Sequence, residues 1–287
     1  MRPIGAQWPT AATALFGVIG YPARHSLSPV LHNAALEALG LDAVYLAFEV
    51  EVGQLQQALE GAAALGVAGL SVTMPHKEAA AAWATSPSTV VSKLGAANTL
   101  TFGEAEVRAE STDGVGFINS LAEEGVALKG KRVVVLGAGG AARSVALAVV
   151  MEGASDVAIV ARRPQAAAAA AEAIGPLARA GGPGDVAGCD IVVNATPLGM
   201  AGGPGEGLSP LAEGMLGRRH VVVDLVYHPS STPLLAQAQA AGAHCVGGAG
   251  MLLHQAAEQL RIWTSLQVPI EPMRSALKTA LARRPRG

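Results

Sequence analysis

Arg132-Val133-Val134-Val135-Leu136-Gly137-Ala138-Gly139-Gly140-Ala141-Ala142 decides the fold. The apolar, mostly β-branched run after Arg132 predicts a buried strand, and it leads straight into a glycine-rich turn. Gly137, Gly139 and Ala142 take the three positions of G-x-G-x-x-G/A, and a helix is expected from there to about Glu152. At such a junction free backbone N–H groups and the positive helix end can meet a pyrophosphate. A glycine turn alone says little. Between this strand and this helix it points to a dinucleotide site, with Gly137, Ala138, Gly139, Gly140 and Ala141 against the cofactor.

The alternation continues downstream. A strand from Asp156 to Ala161, an Ala-rich helix from Pro164 to Ile174, strands at Asp190 to Asn194 and Val221 to Leu225, and a short one near His244 to Val246 complete a nucleotide-binding sheet. Arg179 to Gly188 and Ala201 to Gly207 read as surface loops. NAD enzymes usually end the second strand of such a unit with an acid that receives the ribose hydroxyls. Here the strand ends Ala161-Arg162-Arg163, where two guanidiniums can grip a 2′-phosphate, and NADP is the expected cofactor.

Upstream the same logic applies. Ala14 to Gly20 reads as a strand, Ser28-Pro29 as N-cap and first-turn proline of a helix to about Leu39, Ala43 to Val50 as a strand, Gln54 to Leu65 as a helix and Val67 to Thr73 as a strand. That order predicts a largely parallel sheet. Pro75 is expected to open a helix to about Ala82, and a further helix is expected over Thr89 to Leu94. Strands follow around Asn98 to Phe102 and Glu106 to Glu110, then a hinge at Thr112-Asp113-Gly114. After Gly250 the pattern is helical, with Leu252, Leu253, Ala256, Leu260 and Trp263 on one face that can pack back on the first unit. The expectation is an α/β chain of two domains. A substrate domain with a mainly parallel sheet comprises 1–112 plus 248–287, a Rossmann-type NADP domain comprises 113–247, and the site lies in the groove between them.

Composition narrows the function classes. With 51% hydrophobic and 15% charged residues among 287, the chain is not a disordered polymer. Twenty Lys and Arg against 22 Asp and Glu, with 3% aromatics, exclude a nucleic-acid binder. No run reaches the roughly 18 apolar residues of a membrane helix. Ala11 to Ile19, after Trp8-Pro9, reads as a buried strand rather than a signal-peptide core, and a cytoplasmic protein is expected. Cys189 and Cys245 lie far apart and the seven histidines are scattered, so no metal set is expected and the cysteines read as small buried hydrophobes in strands.

Polar residues stand where apolar ones would be cheaper. Ser26 and Ser28 flank Leu27 at a helix entrance that needs one cap. Ser71-Val72-Thr73-Met74-Pro75-His76-Lys77 ends a strand in a hydroxyl residue and delivers a lysine onto the next helix, with His76 beside it. Asn98, Asp113 and Gln255 fall at strand ends or helix faces that a two-domain cleft can bring together with Lys77.

Together these residues resemble the shikimate dehydrogenase family, from Gly17 to about Ser265. The matching segments are Ser26-Leu27-Ser28-Pro29 with His32-Asn33, Val72 to Lys77, Gly95-Ala96-Ala97-Asn98-Thr99 and Thr112-Asp113-Gly114-Val115-Gly116. They continue with Gly137 to Ala142, Asn194 to Met200, Asp224-Leu225-Val226-Tyr227 with Thr232-Pro233-Leu234, and Gly250-Met251-Leu252 with Gln255-Ala256. The resemblance implies an NADP-dependent oxidoreductase that interconverts 3-dehydroshikimate and shikimate on the route to chorismate and the aromatic amino acids. It places Ser26 and Ser28 at a substrate carboxylate, Ser71, Thr73, Asn98, Tyr227 and Gln255 around the ring, and Lys77 with Asp113 at the reacting oxygen. It places Asn194, Thr196, Leu225, Gly248 and Met251 beside the cofactor, with Arg162 and Arg163 at its phosphate. The partners implied are a small-molecule substrate, neither nucleic acid nor membrane, and at most a second copy as a homodimer.

Three positions depart from the family pattern: Ser71 where Asn is frequent, Ser111 before Thr112-Asp113, and Ala161-Arg162-Arg163 in place of Asn-Arg-Thr. A quinate or amino-analogue dehydrogenase of the same family is the alternative activity. A ligand sensor that has the fold without catalysis is the alternative class.

Overall fold

The computed structural model describes residues 9–203 and 205–283. The first eight and last four residues of the expected substrate domain, Trp8 before the first strand, and Pro204 in the Ala201–Gly207 loop, lie outside them.

The first sheet begins with β1 (Ala14–Gly20), α1 (Ser28–Ala38), β2 (Ala43–Glu49), α2 (Leu55–Ala64) and β3 (Gly69–Val72). It continues with α3 (Lys77–Trp83), β4 (Ser86–Pro87), α4 (Thr89–Leu94), β5 (Thr99–Phe102) and β6 (Val107–Glu110). Its order is β2-β1-β3-β5-β6-β4. The expected parallel pairing holds for β2, β1 and β3, but β5 runs antiparallel to both β3 and β6. The connection between β5 and β6 is too short for a crossover, so the two strands form a hairpin.

α5 (Asp113–Glu123) then leads to the second sheet. This comprises β7 (Arg132–Leu136), α6 (Gly140–Met151), β8 (Asp156–Val160), α7 (Pro164–Ile174) and β9 (Ala178–Ala180), then β10 (Ile191–Asn194), β11 (Val221–Asp224), α8 (Pro233–Ala240) and β12 (His244–Gly247). Its order, β12-β11-β10-β7-β8-β9, is parallel throughout. The order reverses between β7 and β10, which opens a crevice at their carboxyl ends, beside the glycine turn. Two final helices, α9 (Ala249–Thr264) and α10 (Ile270–Ala282), return to the first sheet. Leu253, Ala256 and Leu260 share a core with Phe16, Val18 and Leu31, and Trp263 Nε1 donates to Leu100 O at 3.0 Å. Gly69 is where that indole lies: a Cβ there would sit 2.4 Å from Trp263 Nε1.

Several local expectations are corrected. Ser28 is the first helical residue and not the cap; its N–H is taken by Ser26 Oγ at 3.2 Å. The helix expected from Pro75 starts at Lys77, because the chain first closes a turn from Thr73 O to His76 N. Thr112-Asp113-Gly114, expected as a hinge, forms the cap and first residues of α5. Its glycines serve packing: a Cβ on Gly114 would lie 2.9 Å from Ala148 Cβ on α6, and one on Gly116 would lie 2.7 Å from Gln255 Cβ on α9. Arg179–Gly188 is not loop throughout, since β9 and a 3-10 turn (Pro183–Gly188) are drawn together by Arg179 bonded to both Asp156 and Asp185. Cys189 is buried at the end of that turn rather than in a strand, whereas Cys245 is in β12. The terminal helical run breaks in two at Ser265, which takes a left-handed φ of 59°.

Candidate active site

Asp113 opens α5, where the positive helix end favours a carboxylate. Lys77 opens α3, and its ammonium forms a salt bridge with Asp113 Oδ2. The two side chains are 16% and 8% exposed, a shielded pair that still reaches solvent on one side. Asn98, which enters β5, fixes the other carboxylate oxygen. Its Oδ1 accepts from Thr112 N at 2.8 Å and Thr99 Oγ1 at 2.9 Å, so its Nδ2 must donate, to Asp113 Oδ1 at 2.8 Å and Thr112 Oγ1 at 2.9 Å. Asp113 is thereby held by both oxygens, Oδ1 by the Asn98 amide and Oδ2 by the Lys77 nitrogen. Gln255 Oε1 lies 3.4 Å from the same Asn98 amide and brings α9 to the group.

The glycine turn arrives from the other sheet. Gly137 has φ +116°, and a Cβ there would lie 3.0 Å from Ala195 O, so only glycine fits. Gly139 caps α6 without a side-chain bond, and nothing lies within 4 Å of its Cβ position, which leaves the first turn of the helix open. Gly140 faces the lysine: a Cβ there would sit 3.3 Å from Lys77 Cδ and 3.2 Å from Ala96 Cβ. Arg162 and Arg163 are exposed just past β8, and neither makes an ion pair among the described residues. An open helix start, a side-chain-free turn and two uncommitted guanidiniums on the adjacent strand fit a phosphorylated dinucleotide.

Other expected residues divide. Thr73 is half-buried at the end of β3, against Gly20, and Ser26 is half-buried at the entrance to α1. Ser28 is buried, near the Tyr45 phenol. Leu225 and Gly248 meet closely, because a Cβ on Gly248 would lie 2.3 Å from Leu225 O. Met251 is buried in the second sheet's core beside Leu225, and Tyr227 is half-buried against α9 residues. Two expected residues have their polar groups taken up within the fold. Ser71 is buried with its hydroxyl between two partners, accepting from Tyr45 Oη at 2.6 Å and donating to Gln259 Oε1 at 2.7 Å. Asn194 is fully buried, and its amide bonds Asp224 at 2.9 Å and Leu198 O at 3.3 Å while its oxygen accepts from Thr196 N and Oγ1. It holds the loop after β10. Asp224 shares that network, taking a 2.6 Å bond from Thr232, and burial pushes its carboxyl above the usual range.

His76 bonds Val50 O at 2.6 Å and acts as a strap. Three features escaped the sequence reading, which holds His32 only as part of the matched His32-Asn33 segment. Glu49 gathers the loop before α1 through the N–H groups of Ala23 and Arg24 and the Arg24 guanidinium, at 3.2, 3.3 and 2.5 Å. Gln259 and His32 lie buried behind Ser71, and Arg143 on α6 pairs with Glu78. Only Gln259 left a signal, as a polar side chain on the apolar stripe of α9.

Residues 18–100 match the family model for the shikimate dehydrogenase substrate binding domain, and residues 248–278 the model for the shikimate 5′-dehydrogenase C-terminal domain. Residues 132–226 match a model described as NADP oxidoreductase coenzyme F420-dependent. The shikimate dehydrogenase (NADP(+)) of Methanocella arvoryzae is 44% identical over 93% of this chain and 99% of its own length. The crystal structure of shikimate 5-dehydrogenase from Thermus thermophilus, in complex with NADP(H) and shikimate, is 36% identical with a TM-score of 0.87, covering 94% of this chain and 100% of that one. Quinate dehydrogenase from Corynebacterium glutamicum, in complex with NAD, is 31% identical with a TM-score of 0.84, covering 93% and 99%.

Proposed function

This chain belongs to the shikimate dehydrogenase family, and on that premise we infer that it reversibly reduces 3-dehydroshikimate to shikimate with NADP(H), a step toward chorismate and the aromatic amino acids. The observation that carries the mechanism is the Lys77–Asp113 pair, anchored by Asn98 and abutted by Gly140.

The glycine turn would hold NADP(H), with Arg162 and Arg163 toward its 2′-phosphate, and the cofactor would supply or take up the hydride. As the substrate carbonyl gains hydride its oxygen becomes an alkoxide, and the Lys77 ammonium gives it a proton. In the reverse direction the neutral amine takes the hydroxyl proton as hydride departs. Asp113 keeps the lysine aimed, while Asn98 keeps the carboxylate aimed. Ser26 and Ser28 receive the substrate carboxylate, Thr73, Asn98 and Gln255 the ring hydroxyls, and Tyr227 flanks the cleft. Thr196, Leu225, Gly248 and Met251 would lie beside the cofactor. The functional division is a substrate domain, 1–112 plus 248–287, and an NADP domain, 113–247. The enzyme works in the cytoplasm as a monomer or homodimer; among the described residues no helix is long and apolar enough to cross a membrane.

The match to a quinate dehydrogenase keeps the alternative substrate in view. Assaying the purified protein for reduced-cofactor formation with shikimate or quinate, and NADP or NAD, decides between them. Turnover with shikimate and NADP well above every other pairing is expected. Comparable use of quinate, or a preference for NAD, refutes the assignment.

A further inference from the structure

α3 is held by its first turn. It has seven residues and no side-chain cap at His76, so its own hydrogen bonds do not fix where it starts. Successive side chains on a helix point about 100° apart. Lys77 accordingly reaches Asp113 on α5, and Glu78 reaches the Arg143 guanidinium on α6. Arg143 lies three residues beyond Gly140, the glycine that abuts the Lys77 stem. Its side chain is 17% exposed, and its Nε has no partner. The carboxylate it meets is 68% exposed. An ion pair with so open a carboxylate adds little to stability. Its position is more telling, because it joins the helix that carries the lysine to the helix that opens on the glycine turn.

We propose that Arg143 and Glu78 are a clasp across the cleft that sets Lys77 against the glycine turn, so that both are positioning residues for proton transfer. The inference rests on the role given to Lys77 above. The clasp fixes the approach of α3 to α6 at the point where the proton donor and the cofactor turn must be in register, and small misplacements there reduce the rate of the chemical step far more than they reduce binding.

The test uses the full chain with Glu78→Gln, Arg143→Met, the double variant and Arg143→Lys. For each, kcat and KM for shikimate and NADP, the NADP dissociation constant by calorimetry and the thermal midpoint are measured. Each single variant is expected to lose about tenfold in kcat, with NADP affinity within about twofold of the parent. The double variant should be no slower than the worse single, because the two side chains act as one unit. Arg143→Lys should recover part of the loss. Full kcat in Glu78→Gln, multiplied losses in the double variant, or a fall in NADP affinity at constant kcat would each overturn the clasp. Lys77→Met is measured alongside. If it is inactive while Glu78→Gln is fully active, the clasp alone fails; if it is active, the reading of Lys77 fails and the clasp with it.

Discussion

Gln259→Leu removes a buried amide whose four bonds can be followed one by one. Its Nε2 donates to Asn98 O at 3.0 Å and Thr99 Oγ1 at 3.2 Å, which leaves Oε1 to face Ser71 Oγ at 2.7 Å and His32 Nε2 at 3.3 Å. Gln259 is 1% exposed, and leucine fills a similar volume, so no large cavity opens. Two partners are not stranded: Asn98 O still accepts from Val72 N at 2.8 Å, and Thr99 Oγ1 still donates to Asn98 Oδ1 at 2.9 Å. The Ser71 hydroxyl proton and the His32 N–H do lose their acceptor. Two stranded buried donors at about 1–3 kcal/mol each give about 4 kcal/mol of destabilisation. At roughly 2–4 °C per kcal/mol the thermal midpoint should fall by about 8–16 °C in a circular-dichroism melt. Ser71→Ala should cost less in the Gln259→Leu background than in the parent, because one stranded donor is then gone. A midpoint within about 2 °C of the parent would refute the network.

Arg162→Ala and Arg163→Ala should each raise KM for NADP by about 10- to 100-fold and leave KM for NAD unchanged, since each removes a charge-assisted bond to the 2′-phosphate; equal effects on both cofactors would contradict that placement. Burial holds His32 down to about 3, so the folded chain refuses a proton that the unfolded chain accepts below its ordinary value of 6.5. Stability should be unaffected above that value and fall as the pH drops toward 3, by about 2 kcal/mol at pH 5. Urea midpoints at pH 7 and pH 5 check this: His32→Phe, which keeps a ring against Tyr45, should lose less than the parent, and equal losses would refute the assignment. Asp113→Asn should lower kcat by about 10²- to 10⁴-fold, because an amide has one oxygen and cannot offer an acceptor to Asn98 and to the Lys77 ammonium at once; turnover near the parent's would show that the carboxylate is dispensable.

The second sheet was legible because its strands are buried on both faces and read as continuous apolar runs, and because Gly137 to Ala142 punctuate the first of them. Asp113 and Lys77 were legible as chemistry and not as geometry: the residue types were visible, but α5 was not, since Gly114 read as a hinge, whereas Gly114 and Gly116 let α6 and α9 approach. Ser71 shows the limit of reading a hydroxyl at a strand end. Its partners Tyr45 and Gln259 lie 26 and 188 residues away, and only the folded chain shows that they occupy it. Asn194 repeats the lesson, since Asp224 lies 30 residues downstream. Arg143 and Glu78 are separated by 65 residues and stand on helices from the two halves of the fold, α6 and α3, and each alone reads as a solvated helix charge.

The central claim is that the Lys77 ammonium, aimed by Asp113, supplies the proton to the substrate oxygen. Single-turnover NADPH formation from shikimate by Lys77→Met, at saturating NADP and with cofactor binding verified by calorimetry, tests it most directly. A loss of about 10²- to 10⁴-fold in rate with NADP affinity intact is the predicted result. A rate within about threefold of the parent would contradict the account.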